Sequence, residues 1–95
     1  MELFILSRIK DCMRVVDPEF NEEIEGLANA ALSDLGIAGV DGERALITDH
    51  LVFRAVVTYC RVHFGTPDDY DKLKKSYDEQ KAQLSTCTGY TDWRE

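Results

Sequence analysis

The sequence predicts an all-α fold: a small single-domain bundle of about four helices with a flexible C-terminal tail. Three observations predict it. Apolar residues recur at three- and four-residue steps through four separate stretches, as in helices that bury one face. The two prolines and most of the six glycines fall between those stretches, where helices start and stop. At 95 residues and 44% hydrophobic, the chain has room for one core and no second.

Ser7 is a good N-cap for a first helix over roughly 8–15, with Ile9, Cys12, Met13 and Val16 along one side. Residues 2–6 either extend that helix backwards or enter as an extended arm. Asp17-Pro18 ends it, since the residue before a proline is pushed out of the α region. The same dipeptide opens a second helix over 18–35, with Asp17 as N-cap and Pro18 at the first helical position. Glu19, Glu22 and Glu23 crowd its first turns, where the helix dipole favours anions. Phe20, Ile24, Leu27, Ala31, Leu32 and Leu35 describe its apolar face, and Gly36 is the natural residue to close it. Gly39, Asp41 and Gly42 then mark a polar loop.

The third helix, over 46–64, is the most apolar. Its polar positions His50, Arg54, Thr58 and Arg61 form one narrow stripe, so it is expected at the centre, closed by Gly65. Thr66, Pro67, Asp68 and Asp69 are a dense start signal for a fourth helix over 67–86. There Tyr70, Leu73, Tyr77 and Leu84 make a thin apolar stripe, and Asp68–Lys72 and Asp71–Lys75 are favourable i,i+4 pairs. The expected core is built on Leu51, Val52, Val56, Tyr59 and Phe64, met by Leu73 and Tyr77. Residues 87–95 lack periodicity and read as the tail.

The formal net charge is −7, and residues 17–44 alone hold eight acids against one base. That balance argues against a dedicated nucleic-acid binder, which carries a basic footprint. Lys72, Lys74, Lys75 and Lys81 are interleaved with Asp71, Asp78 and Glu79, and read as a solvated helix face. Cys12, Cys60 and Cys87 are odd in number, without a C-x-x-C, which fits a reducing compartment better than a disulfide framework. The apolar run Leu3 to Leu6 is short for a signal peptide, and no uncharged stretch approaches the ~20 residues of a membrane span. No membrane association is expected.

Each candidate for chemistry has a plainer explanation. Cys60 and His63, one turn apart, offer half a zinc site or a thiolate–imidazole pair, but two more ligands are needed and no other cysteine has a matching partner. A packed thiol and a histidine in the last helical turn fit better. Asp68, Asp69 and Asp71 lack the glycine and distal glutamate of a calcium loop, and read as N-terminal helix anions. Neither His50 nor His63 follows a glutamate by three residues, as a di-iron bundle requires. No enzyme, metal or cofactor is expected. What remains is binding by surface: an acidic second helix, a thin-seamed fourth, and a tail whose Tyr90 and Trp93 suit anchoring in a partner's groove.

The run AVVTYCRVHFG (55–65), then DDYDKLKKSYDEQKAQLS (68–85) and GY (89–90), resembles the head–tail connector family of long-tailed bacteriophages, the adaptor or head-completion proteins associated with DNA packaging. The matching positions are Ala55, Val56, Tyr59, Arg61, His63, Phe64 and Gly65, then Tyr70, Ser76, Tyr77 and Leu84, then Gly89 and Tyr90. SRIKDCMRVVD (7–17) and LANAAL (27–32) are similar to that family's opening helix and alanine-rich second helix. The TDWRE end and the glycine-rich 36–44 loop depart from its pattern.

The resemblance implies a structural virion subunit at the head–tail interface, made in the host bacterial cytoplasm. It implies self-association into a ring, usually twelve-fold, on the portal protein, extending the DNA channel and docking a stopper or tail-completion protein. DNA passes such a channel without specific binding, so the acids Glu19, Glu22, Glu23 and Glu25 are expected to face the channel or its mouth, where phosphates meet no array of lysines. The segment after the last helix is expected to reach the portal through Tyr90 and Trp93. The residues by themselves leave an alternative, a small cytosolic helical adaptor or regulatory protein that binds another protein stoichiometrically.

Overall fold

The computed structural model describes residues 3–37, 42–65 and 68–85. These form five α-helices and one 3₁₀ turn: α1 (Leu3–Met13), the turn Pro18–Phe20, α2 (Asn21–Leu35), α3 (Gly42–Thr48), α4 (His50–His63) and α5 (Tyr70–Ser85). No strand occurs among the described residues, and the fold is all-α as the apolar periodicity predicts. α4 is the hub, packing most extensively on α5 and α2 and less on α3 and α1.

In α1 the backward extension is the alternative taken over residues 3–6, and the expected cap at Ser7 with a start at residue 8 gives way to it. The helix begins at Leu3 and runs through Ser7, because Ile5, Leu6 and Ile9 all go into the core and need one continuous turn to do so. It stops at Met13, four residues before Asp17. Arg14 takes a left-handed φ of 60°. Its N–H donates to the Asp11 carbonyl at 3.1 Å, and the Val15 N–H donates to the Lys10 carbonyl at 3.0 Å. This crossed pair closes a helix end in the way glycine usually permits, here at the steric expense of an L-residue. Asp17 caps the 3₁₀ turn instead, accepting from the Glu19 N–H at 2.9 Å with Pro18 next in line.

α2 buries Ile24, Ala28, Ala31 and Leu32, a stripe of small and medium side chains that lets it lie close to α4. Its far end is the glycine version of the same closure. Gly36 has φ 79°, its N–H donates to the Ser33 carbonyl at 3.0 Å, and the Ile37 N–H donates to the Leu32 carbonyl at 3.1 Å. Ile37 then buries itself. Gly42 opens α3 so near this corner that a Cβ would lie 3.0 Å from the Ile37 carbonyl oxygen, a contact so tight that the backbone there would have to give way slightly to any side chain.

The third expected helix, 46–64, is two helices. Asp49 adopts an extended conformation (φ −121°, ψ 112°), and its carboxylate accepts from the N–H groups of Leu51 at 2.9 Å and Val52 at 3.3 Å. These bonds satisfy donors that a fresh helix start leaves open, so the chain breaks and restarts there. Val52, Val56 and Cys60 are fully enclosed within α4. Leu51, expected in the core, is 39% exposed. It lies one turn before Arg54 and two before Thr58, and so shares their outward face. Tyr59 and Phe64 are half-buried against the core.

α5 closes the bundle along a narrow seam. Tyr77 and Leu84 are buried, Leu73 is half-buried, and Tyr70 at its start is exposed. Burial of each large aliphatic in this core is worth about 1.5–3 kcal/mol. Aromatic and cationic contacts tie the elements further. The rings of Phe20 and Phe64 meet edge to face at 5.2 Å, joining the start of α2 to the end of α4. The Arg8 guanidinium of α1 lies 4.4 Å from the centroid of Phe53 on α4.

Candidate interaction surfaces

Polar chemistry inside the bundle is structural. The Tyr77 hydroxyl donates to Asp34 Oδ2 at 2.5 Å, and Lys81 Nζ meets Asp34 Oδ1 at 3.2 Å, so α5 is pinned to the end of α2 by one carboxylate. The Tyr77 hydroxyl bond, with Lys81 adding to it, holds the Asp34 carboxyl below its ordinary 3.8. Burial, and then the bond to Asp34, pushes the Tyr77 phenol above its ordinary 10.0. The Tyr59 ring meets Tyr77 edge to face at 5.2 Å and lies tilted against His63 at 4.4 Å. This cluster escaped sequence reasoning, because Asp34 and Tyr77 are 43 residues apart and neither carries a local pairing signal.

Cys60 and His63 do not form a site. The Cys60 thiol is shut in the core, and burial pushes its pKa up to about 12, which leaves it inert as a nucleophile or ligand. The His63 side chain is exposed on Tyr59. Among the described residues no group of three or more His, Cys, Asp or Glu side chains could hold a metal ion. None of the described helices is long and apolar enough to cross a membrane.

Two opposed surfaces stand out. On one side, Glu19, Glu22 and Glu23 are exposed and Glu25 is half-exposed, at the front of α2. They start a face that continues along the helix through Gly26, Asn29 and Ser33, all exposed. On the other side, α1 and α5 flank α4 and leave a trench between them. Its floor is Phe53, Arg54, Val57, Thr58 and Arg61, with Cys12 on the α1 wall and Leu73, Ser76 and Gln80 on the α5 wall. That part encloses about 250 Å³, and the trench continues past Arg54 between Leu51, Gln83 and Leu84. The narrow polar stripe at Arg54, Thr58 and Arg61 is thus part of the floor of a groove. Its meaning was hidden because the two walls come from distant helices.

A second cleft of mixed polar and apolar lining, about 330 Å³, lies between α1 and the Val15–Val16 linker, beside the exposed Leu3. Tyr90 and Trp93, the expected partner anchors, lie outside the described residues.

A family model described as phage connector protein matches residues 5–91. Among curated proteins and among solved structures, nothing matches the chain.

Proposed function

The chain belongs to the phage connector protein family, a structural family of the head–tail junction, and on that premise we propose that it is the ring-forming adaptor on the portal. In this reading about twelve copies stack around the channel beneath the portal vertex, extend it, and offer the far rim to a stopper or tail-completion protein. The family match over 5–91 carries the reading, since it spans nearly all of the 95 residues. Two features support it. Exposed apolar side chains (Leu3, Phe4 and Val16 are 79%, 63% and 88% exposed) suit a chain that works among neighbours. The molecule also presents different surfaces on opposite sides, which head-to-tail closure into a ring demands.

DNA slides through such a ring without adhering. We place the acid front of α2 (Glu19, Glu22, Glu23, Glu25) at the channel or its mouth, where it repels phosphate. Tyr90 and Trp93 are the proposed anchors on the portal. Trp93→Ala is expected to leave the melting temperature nearly unchanged while weakening co-sedimentation with portal rings; a variant that unfolds would make Trp93 part of the core instead.

The decisive experiment is genetic and visual. Purified virions are expected to contain the chain, its deletion is expected to yield DNA-filled heads without tails, and negative-stain microscopy of the protein mixed with portal is expected to show an added ring. Absence from virions, together with normal tailed particles after deletion, would overturn the reading.

A further inference from the structure

The trench is a basic feature on an acidic protein. Arg54 and Arg61 both rise from its floor, both are exposed, and neither has a carboxylate within ion-pair distance among the described residues. Among the described residues no carboxylate lines the trench. Gln80 on its wall keeps a side-chain carbonyl oxygen closed off from solvent with no donor among the described residues, an unfinished polar surface.

The opposite side of the molecule is the complement. Helical geometry sets Arg54 and Arg61 about half a turn around α4 from Val56 and His63. His63 lies against the Tyr59 ring, which meets Tyr77, the residue bonded to Asp34 at the end of α2. α2 and the trench therefore occupy opposite flanks of α4. The outward stripe of α2 is Glu22, Gly26, Asn29 and Ser33, at steps of four, three and four residues. It is one acid followed by small side chains, and a Cβ at Gly26 would meet nothing within 4 Å. A helix edge this smooth fits between two helical walls. The lengths agree too: α2 has 15 residues and α4 has 14, roughly 22 and 21 Å.

We propose that the trench of each copy receives the outer stripe of α2 from the next copy, with Glu22 paired to Arg54 and Arg61, as the repeating contact of the ring. This rests on the ring reading given above and names its interface. Of the four acids at the front of α2, the contact takes Glu22, which then no longer faces the channel, while Glu19 and Glu23 flank the stripe and stay at its edge, on the side left for the channel mouth. A nucleic-acid backbone is the other ligand arginines invite, but the apolar floor of Phe53 and Val57 and the net charge of −7 favour an acidic helix over phosphate.

The native Cys12, exposed on the trench wall, makes the contact testable in virions. In a Cys87→Ser background, Gly26→Cys, Asn29→Cys and Ser33→Cys are introduced singly, and purified particles are oxidised with copper phenanthroline. Disulfides form only where Cα atoms come within about 7 Å. At least one of the three is expected to give a ladder of multimers on a non-reducing gel, lost when Cys12→Ser is added and absent for Lys75→Cys on α5. Arg54→Glu with Arg61→Glu is expected to abolish the ladder, and adding Glu22→Arg to restore it; circular dichroism of each purified variant establishes that it folds. A chain present in virions without a ladder from any of the three positions overturns the interface and leaves the connector reading standing. A chain missing from virions overturns both. A ladder that survives the arginine reversals while packaged DNA falls assigns the trench to phosphate and overturns the proposal.

Discussion

Tyr77 shows how much one side chain does in so small a core. Its ring fills the α4–α5 seam and its hydroxyl holds Asp34, so packing and polar fixation meet in one residue. The pH dependence follows from the two shifts. Asp34 is depressed in the folded chain, so its contribution is present above the ordinary carboxylate value of 3.8 and is lost as pH falls through and below it. Tyr77 is raised, so its contribution is present below the ordinary phenol value of 10.0 and is lost as pH climbs beyond it. Asp34 is 40% exposed at its side chain, which discounts the pair to about 1 kcal/mol. Tyr77→Phe is expected to lower unfolding stability by about that amount at pH 7 and to flatten the loss of stability below pH ~4, measured by urea titration. If the variant matches the parent in both, the hydroxyl bond contributes nothing. No sequence pattern marks this pair, because its partners meet only once α2 and α5 are packed.

At the scale of elements, legibility followed the range of the chemistry. The end of α2 at Gly36 and the Asp17-Pro18 start are readable, because each is set by residues adjacent in sequence; α5 begins at Tyr70, three residues after the expected 67, and the start signal at Thr66 and Pro67 lies outside the described residues. The break between α3 and α4 was not read, although Asp49 is a good cap, because the apolar recurrence runs straight through it. Periodicity reports which face is buried and is blind to one residue turning to an extended conformation. Leu51 was misassigned for the same reason: its hydrophobicity placed it inside, while its position beside Arg54 placed it outside. Asp49→Ala is expected to cost about 1 kcal/mol through loss of the two cap bonds. Thermal unfolding should then fall by roughly 4–8 °C for a domain of this size. An unchanged midpoint would mean that water replaces the cap without loss.

For the molecule as a whole, a charge that first served to exclude functions acquires a direction. An acid front lies on the flank of α2, and two arginines with no acidic partner among the described residues sit in the trench across α4 from it. The acid front was visible in the sequence, but its opposition to a basic trench was not, since that depends on which helices flank α4. Glu19→Lys with Glu23→Lys and Glu25→Lys is expected to slow DNA packaging or ejection in assembled particles, measured by DNA release kinetics. If neither rate changes while the ring forms normally, the acid front serves solubility alone.

The enclosed thiol of Cys60 has a consequence for the time domain. A thiol reagent reaches it only when the α4 core opens, so its modification counts openings of the native chain, while Cys12 reports at once from the surface. In a Cys87→Ser background, peptide mass spectrometry is expected to find Cys60 labelled at least about a thousandfold more slowly than Cys12. Comparable rates would mean that the core breathes freely. The chain thus carries its own clock, readable free in solution and again after it has joined its neighbours.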